Sequence, residues 1–215
     1  MTQLNAADEQ RLLSAIFPII IEKGIKATTM DLLAHRLGMS KRTLYEIFDN
    51  KTDLIRRVLD HHEEHHHELG KRIIASAPNM MVALMQLFDL HRQDMVYMNV
   101  SFFRDMDRLY PHLRCDYEER HEQHRRYMMQ IFRIGVEQGV FRGDINFSIL
   151  LRMMEIQAES LKRMENLFPP DITLLEIYDT LTLGFLRSIA SRQGHDLLDD
   201  YMRRRNELSL NQSPT

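Results

Sequence analysis

Three observations predict an all-α fold. Glycine and proline are scarce, 8 and 6 in 215 residues, which argues for long helices and few loops. Apolar side chains recur at helical spacing in segment after segment, with no strand-like alternation long enough to compete. The block from Thr28 to Tyr45 reads as a short helix, a tight turn at Gly38 and a second short helix, the layout of a helix-turn-helix. The expected architecture is an N-terminal three-helix, helix-turn-helix DNA-binding domain over 1–53. A larger helical-bundle domain for ligand binding and dimerisation follows over 54–207, then a flexible tail at 208–215.

The elements follow in order. Residues 9–23 carry apolar side chains at 12, 13, 16, 17, 19, 20 and 21; Pro18 interrupts the pattern and Gly24 is a plausible stop. Thr28 or Thr29 caps the next helix, and Asp31 in its first turn suits the helix dipole. Ser40 caps the third helix, with Leu44, Ile47 and Phe48 inward. A fourth helix runs from near Thr52 through the histidines at 61–67 to about Ile74. Residues 80–104 read as one helix, or as two joined near 92–94, and 108–111 as a connection. Helices are expected over 112–138, from 146 or 148 to about 166, and over 172–192, where Gly194 ends the last. The remainder is expected to fray after about Asn206.

Composition narrows the function. Fifteen methionines and no tryptophan favour helices around adaptable apolar space. The lone Cys115 excludes an internal disulfide and fits a reducing compartment. Met1 to Gln10 is polar and does not read as a signal peptide, and no apolar run is long enough to cross a bilayer. A cytoplasmic protein with no membrane partner is expected. The net charge is −3, but the segment from Lys23 to Arg57 is +4 and the remainder −7. A basic head and an acidic body would orient the molecule on DNA. There is no glycine-rich phosphate loop, nucleophile motif or strand framework, so no enzyme is expected.

One block carries a family resemblance. Gly24, the Thr28-Thr29 cap, Met30 to Leu37, Gly38-Met39-Ser40, Thr43-Leu44-Tyr45, Phe48, Lys51 and Leu54 together resemble the DNA-binding domain of the TetR family of bacterial transcriptional regulators. The similarity is confined to about residues 10–58. The resemblance implies an all-helical homodimer whose C-terminal domain binds a small molecule. It also implies that the last two long helices form a four-helix dimer interface. Many members have a small residue after the lysine of the third helix, where this chain has Arg42.

In the head, Ser40, Lys41, Arg42 and Thr43 open the recognition helix, the part that meets base edges in this geometry. Arg42 is the choice for a base contact, since its planar fork matches guanine O6 and N7. Ordinary solvent-facing charge is the competing reading. Tyr45 matches a family tyrosine that commonly touches a phosphate or base. Thr29 is a phosphate candidate. Lys51 is another, because a lysine opening a helix works against the dipole. The expected partner is a double-stranded DNA operator.

In the body, a concentration of methionine and phenylalanine suits a malleable cavity, with a solid core as the alternative. A mostly apolar small molecule is expected against Met85, Phe88, Met98, Phe102, Tyr117, His121, His124 and Met128. The last two helices carry more apolar surface than one subunit requires. Ile149, Met153, Ile156, Leu174, Tyr178, Leu181, Phe185 and Ile189 are therefore assigned to a homodimer interface.

His61 and His65, and His62 and His66, share helix faces. Four-apart histidines can chelate a transition metal, with Glu64 and Glu68 as further donors, but no third ligand from another helix is visible. Neither a metal site nor a cofactor is assigned. A metal-sensing regulator built on residues 61–67 and a helical interaction module without DNA reading remain the alternatives.

Overall fold

The computed structural model describes residues 5–99, 101–110, 113–161, 168–169 and 171–211. The side chains of 107, 113–124, 158, 159, 161, 206 and 208–211 lie outside that description. Ten α-helices span the described residues: α1 Ala6–Lys23, α2 Met30–Leu37, α3 Lys41–Ile47, α4 Lys51–Ser76, α5 Met80–Met95, α6 Ser101–Leu109, α7 Leu113–Glu137, α8 Phe147–Leu161, α9 Leu174–Ile189 and α10 Arg192–Asn211.

Local chemistry sets the head helices. The side chains of Thr29, Ser40 and Asn50 accept the backbone amides of Leu32, Thr43 and Asp53, which starts α2, α3 and α4. Gly38 takes φ +64° and donates its amide to Ala34 and His35, closing α2 in a left-handed turn that a side chain would strain. Pro18 lies inside α1 on its exposed side, and the helix continues past it to Lys23. Thr28 is fully buried, and its hydroxyl donates to the Gly24 carbonyl at 2.8 Å.

Two cores result. The head core joins Ile16, Ile20, Leu33, Leu44, Phe48, Leu54, Ile55 and Val58. Phe102 and Tyr110, contributed by α6 and the residue after it, complete it. Asp105 ties α6 to the head: its buried carboxylate accepts the Lys26 amide at 2.6 Å. The Asn99 amide adds a bond of 2.8 Å to the Ile21 carbonyl. The body core gathers Met81, Leu84, Ile131, Phe132, Phe141, Phe185, Ile189 and Leu198. Phe132 stacks on Phe147 at 4.7 Å and meets Phe141 and Phe185 at their edges or tilted faces.

Of the two readings of the 80–104 segment, the structure has the two-helix one, with the break between Met95 and Ser101 rather than at 92–94. The expected end of the last helix is corrected. Gly194 does not end the last helix; it lies in the first turn of a further helix, α10, which continues to Asn211 and includes residues 208–211 of the expected tail. Gly194 is there because of space. A Cβ on it would strike the Val140 carbonyl oxygen and stand 3.0 Å from Met81 Cε. That approach lets the 139–142 loop pair with the α9–α10 junction, where the Ser191 amide donates to Val140 and the Arg142 amide to Ile189.

Arg57 holds the recognition helix from beneath. Its Nη1 donates to the Ile47 carbonyl at 2.8 Å, at the end of α3. Its Nη2 donates to Glu9, and its guanidinium carbon lies 4.7 Å from the centre of the Phe48 ring.

Gly194→Ala is expected to destabilise the fold by about 1–3 kcal/mol, the cost of overpacking a filled site, read by urea denaturation. Arg57→Lys retains the charge but not the planar fork. A loss of about 1–2 kcal/mol is expected from its broken charged hydrogen bonds, together with faster amide exchange in α3. Exchange unchanged from the wild type would show that α3 is held by Leu44 and Phe48 alone.

Candidate nucleic-acid interface and ligand sites

The recognition helix buries Leu44 and presents its opposite side to solvent. The Arg42 side chain is 89% exposed and Tyr45 is 50% exposed. Lys41, Arg42 and Tyr45 therefore share one accessible surface at the outer edge of the head. Both cations already have acidic partners. Lys41 Nζ donates to Asp31 of α2 at 3.0 Å, and Arg42 Nε donates to Glu46 one turn later at 3.0 Å. The hydrogen bond it donates to Asp31 raises the Lys41 pKa, so its positive charge is secure at neutral pH. Exposed pairs of this kind are weak and yield readily to a phosphate or a base.

The other residues expected at DNA divide. The Ser40 hydroxyl accepts the Thr43 amide at 3.0 Å and pairs with the Thr43 hydroxyl at 2.8 Å, so both serve the cap. Thr29 is exposed, and its Oγ1 accepts the Leu32 amide at 3.1 Å, so its hydroxyl is likewise engaged. Lys51 turns inward: its Nζ donates to the Lys26 carbonyl at 3.4 Å, and burial lowers its pKa while Asp105 opposes that shift. A lysine that opens α4 opposes the helix dipole, and the Lys26 carbonyl gives its charge an internal partner.

In the body, a cavity of about 20 Å³ lies between α5, α9 and α10. Met85, Phe88 and Leu186 form apolar parts of its wall. Charged side chains bridge the three helices around it. Arg92 grips Asp179 through two bonds of 2.7 and 2.9 Å, while Asp89 accepts Tyr201 at 2.6 Å and Arg205 at 3.1 Å. Tyr178 donates to the Phe88 carbonyl at 2.9 Å. Burial raises the pKa of both phenols, so they remain donors.

The expected ligand residues do not form one surface. Met85 and Phe88 line this cavity; Met128 packs in the body core; Met98 and Phe102 belong to the head core. The side chains of Tyr117, His121 and His124 lie outside the described residues. Residues with the right composition were separated by the break between α5 and α6. Asp89, Arg92, Asp179 and Arg205 were not singled out from the sequence, because their pairing links positions 87 to 116 residues apart.

The expected dimer residues also divide. Ile149, Met153 and Ile156 form an exposed stripe on α8, at 59, 53 and 55% exposure. Leu174 and Leu181 are half-buried. Tyr178 lines the cavity, whereas Phe185 and Ile189 are spent on the subunit's own core. Gly184 faces open space on α9.

The histidine run is divided by its helix faces. His65 and His67 are exposed; His61 Nε2 lies 2.9 Å from Ser14 Oγ. His62 stacks on Phe17 at 3.5 Å, and its Nε2 is 2.9 Å from Asp94 Oδ2. His66 Nε2 lies 3.6 Å from the same oxygen. Burial first, then the neighbouring His62, push the His66 pKa down to about 4 against the pull of Asp94, so the ring is neutral at pH 7. Glu64 is exposed and Glu68 is paired with Lys71, so neither joins the group. Asp94 comes from α5, and nothing in the sequence pattern placed it beside α4.

Comparison with known proteins agrees with this architecture. Residues 12–58 match the family model for bacterial regulatory proteins of the tetR family. The chain is 25% identical over 152 residues to the HTH-type transcriptional repressor KstR2 of Mycobacterium tuberculosis, across 66% of this chain and 74% of that one. It is 25% identical over 147 residues to KstR2 of Rhodococcus jostii, across 66% and 72%. Its fold is similar to that of the ketosteroid transcriptional regulator KstR2 of Mycobacterium tuberculosis, with a TM-score of 0.56 at 23% identity, covering 88% of this chain and 98% of that one. It is also similar to a transcriptional regulator from Saccharomonospora viridis in complex with choline, with a TM-score of 0.66 at 18% identity, covering 86% and 100%. No helix among the described residues is long and apolar enough to cross a membrane. The capped helix-turn-helix thus lies in the segment that matches the tetR family of bacterial regulatory proteins, residues 12–58, and the helical body behind it is similar in fold to that of transcriptional regulators.

Proposed function

We propose that the protein is a ligand-responsive repressor that binds a palindromic operator as a homodimer. The observation that carries this reading is the exposed face of α3, where Arg42 and Lys41 stand beside Tyr45 with only weak partners of their own. Arg42 reads a base edge; Lys41 and Tyr45 hold the backbone. The 25% identical KstR2 proteins are repressors, which favours the same sense of control here.

Dimerisation is supported by the apolar stripe on α8. Ile149, Met153 and Ile156 recur one helical turn apart and are more than half exposed, a costly arrangement for a lone subunit. On α9, the open surface at Gly184 leaves room for a partner helix at close range. A homodimer that reads a palindrome must present its two recognition helices to successive major-groove faces, about 34–36 Å apart.

The effector is a small molecule with an apolar body and a polar end. The cavity beside Met85 and Phe88 accepts the former, and the Arg92–Asp179 and Asp89–Arg205 pairs recognise the latter. A ligand of useful size must widen this cavity, which parts α5 from α9 and α10. α4 packs against α5, so the movement changes the spacing of the two heads. A binding preference of the ligand for the widened state sets how far the population shifts.

Two outcomes test this reading. Arg42→Ala is expected to lose preference at one base position of each half-site, costing about 1–3 kcal/mol at that base, whereas Lys41→Ala weakens every sequence alike and lowers the salt slope. Anisotropy titrations on an operator and its single-base variants distinguish the two; identical sequence-independent losses would remove the base-reading role. Ile149→Glu combined with Met153→Glu is expected to give a monomer in analytical ultracentrifugation that retains helicity and loses tight operator binding. A dimer that survives both changes would place the interface elsewhere.

A further inference from the structure

The face of α4 that looks toward α5 holds a group that DNA binding does not use. His62 and His66 are one turn apart, and both direct Nε2 at a single oxygen of Asp94. The three residues each offer a ligand atom such that all three atoms lie within 4.8 Å of one another. The separations to Asp94 are 2.9 and 3.6 Å. A tetrahedral ion with bonds of about 2.0–2.1 Å to nitrogen and oxygen sets its donors about 3.4 Å apart. The two histidine–aspartate separations therefore bracket the spacing that such an ion imposes, and rotamer changes within the 4.8 Å cluster complete it.

The surroundings suit an ion. The three side chains are 23, 13 and 19% exposed, sheltered but reachable from solvent. The Phe17 ring backs His62 and fixes its plane. His91 meets His66 at a centroid distance of 5.2 Å, and its Nδ1 is tied to the Leu87 carbonyl at 2.8 Å. That bond fixes the His91 tautomer with the proton on Nδ1, and the ring walls one side of His66 without joining the three donors. Two imidazoles and one carboxylate match borderline divalent ions better than calcium or magnesium.

We propose that His62, His66 and Asp94 form a binding site for a divalent transition-metal ion of the zinc class, which cross-links α4 to α5. Binding replaces the His62–Asp94 hydrogen bond with metal–ligand bonds, and a neutral His62 ring that ligates through Nε2 carries its proton on Nδ1. The site spans the junction of the two cores: His62 rests on Phe17 of the head, and Asp94 lies two residues beyond Arg92 at the effector cavity. A bound ion stiffens the connection through which a widened cavity would move the head. It is a second input, separate from the small molecule.

The test uses the untagged full-length chain stripped with EDTA. Native mass spectrometry with zinc and optical titration with cobalt are expected to give one ion per chain, the visible bands of low-coordinate cobalt, and a higher thermal midpoint. Asp94→Asn keeps an acceptor for His62 but is expected to weaken binding by about tenfold or more, with helical circular dichroism unchanged. His66→Gln gives the same loss through a different donor and serves if Asp94→Asn does not fold. His65→Ala, on the exposed side of α4, is expected to bind like the wild type. Absence of one-to-one binding, full affinity in both Asp94→Asn and His66→Gln, or loss of binding in His65→Ala would each overturn the site.

Discussion

Everything in this molecule depends on α4 being one unbroken helix. Its 26 residues rise about 39 Å at 1.5 Å per residue. Leu54, Ile55 and Val58 at its start are sealed in the head core, while Ile73 and Ile74 near its end pack against the body core. The two cores are packed separately, so neither can shift far without carrying this rod. α4 has no proline to bend it, and Gly70 is buried with Leu87 at contact distance from where a Cβ would stand. A rod so constrained turns a small displacement at one end into a larger one at the other.

The electrostatics of the head follow a similar economy. Lys41 and Arg42 face solvent in ion pairs with Asp31 and Glu46 rather than as bare charges. Such pairs contribute little to stability in water. They keep the recognition surface from attracting every polyanion equally, since the acids repel phosphates wherever the cations are not better satisfied. The surface is thus biased toward sites where the geometry rewards exchange of partners, a use of repulsion in specificity.

The head was largely legible in the sequence, and the reason is local. Thr29, Ser40 and Gly38 act within four residues of themselves, so capping and turn chemistry located α2 and α3. The outer face of α3 followed from the same frame. The body resisted because its decisive contacts are distant in the chain. Arg92 meets Asp179, Asp89 meets Arg205, and Asp94 meets the α4 histidines. Gly194 misled for a related reason: a glycine that ends a helix and one that admits a neighbouring carbonyl look alike until the neighbour is known. Phe102 and Met98 had the composition of a pocket wall, but α6 and the break before it deliver them to the head.

That delivery by α6 has a consequence for modularity. A helix-turn-helix is often imagined as a detachable reading head, exchangeable between bodies at the boundary suggested by its motif. Here the core beneath the motif is closed by Phe102 and Tyr110, and its α1–α2 turn is tied down by Asp105, all from well beyond the motif in sequence. A graft that carried only the motif would arrive with an open underside and an untied turn. Reading specificity in this chain is inherited with part of the body, and recombination that respects only the motif's edges would separate groups that must stay together.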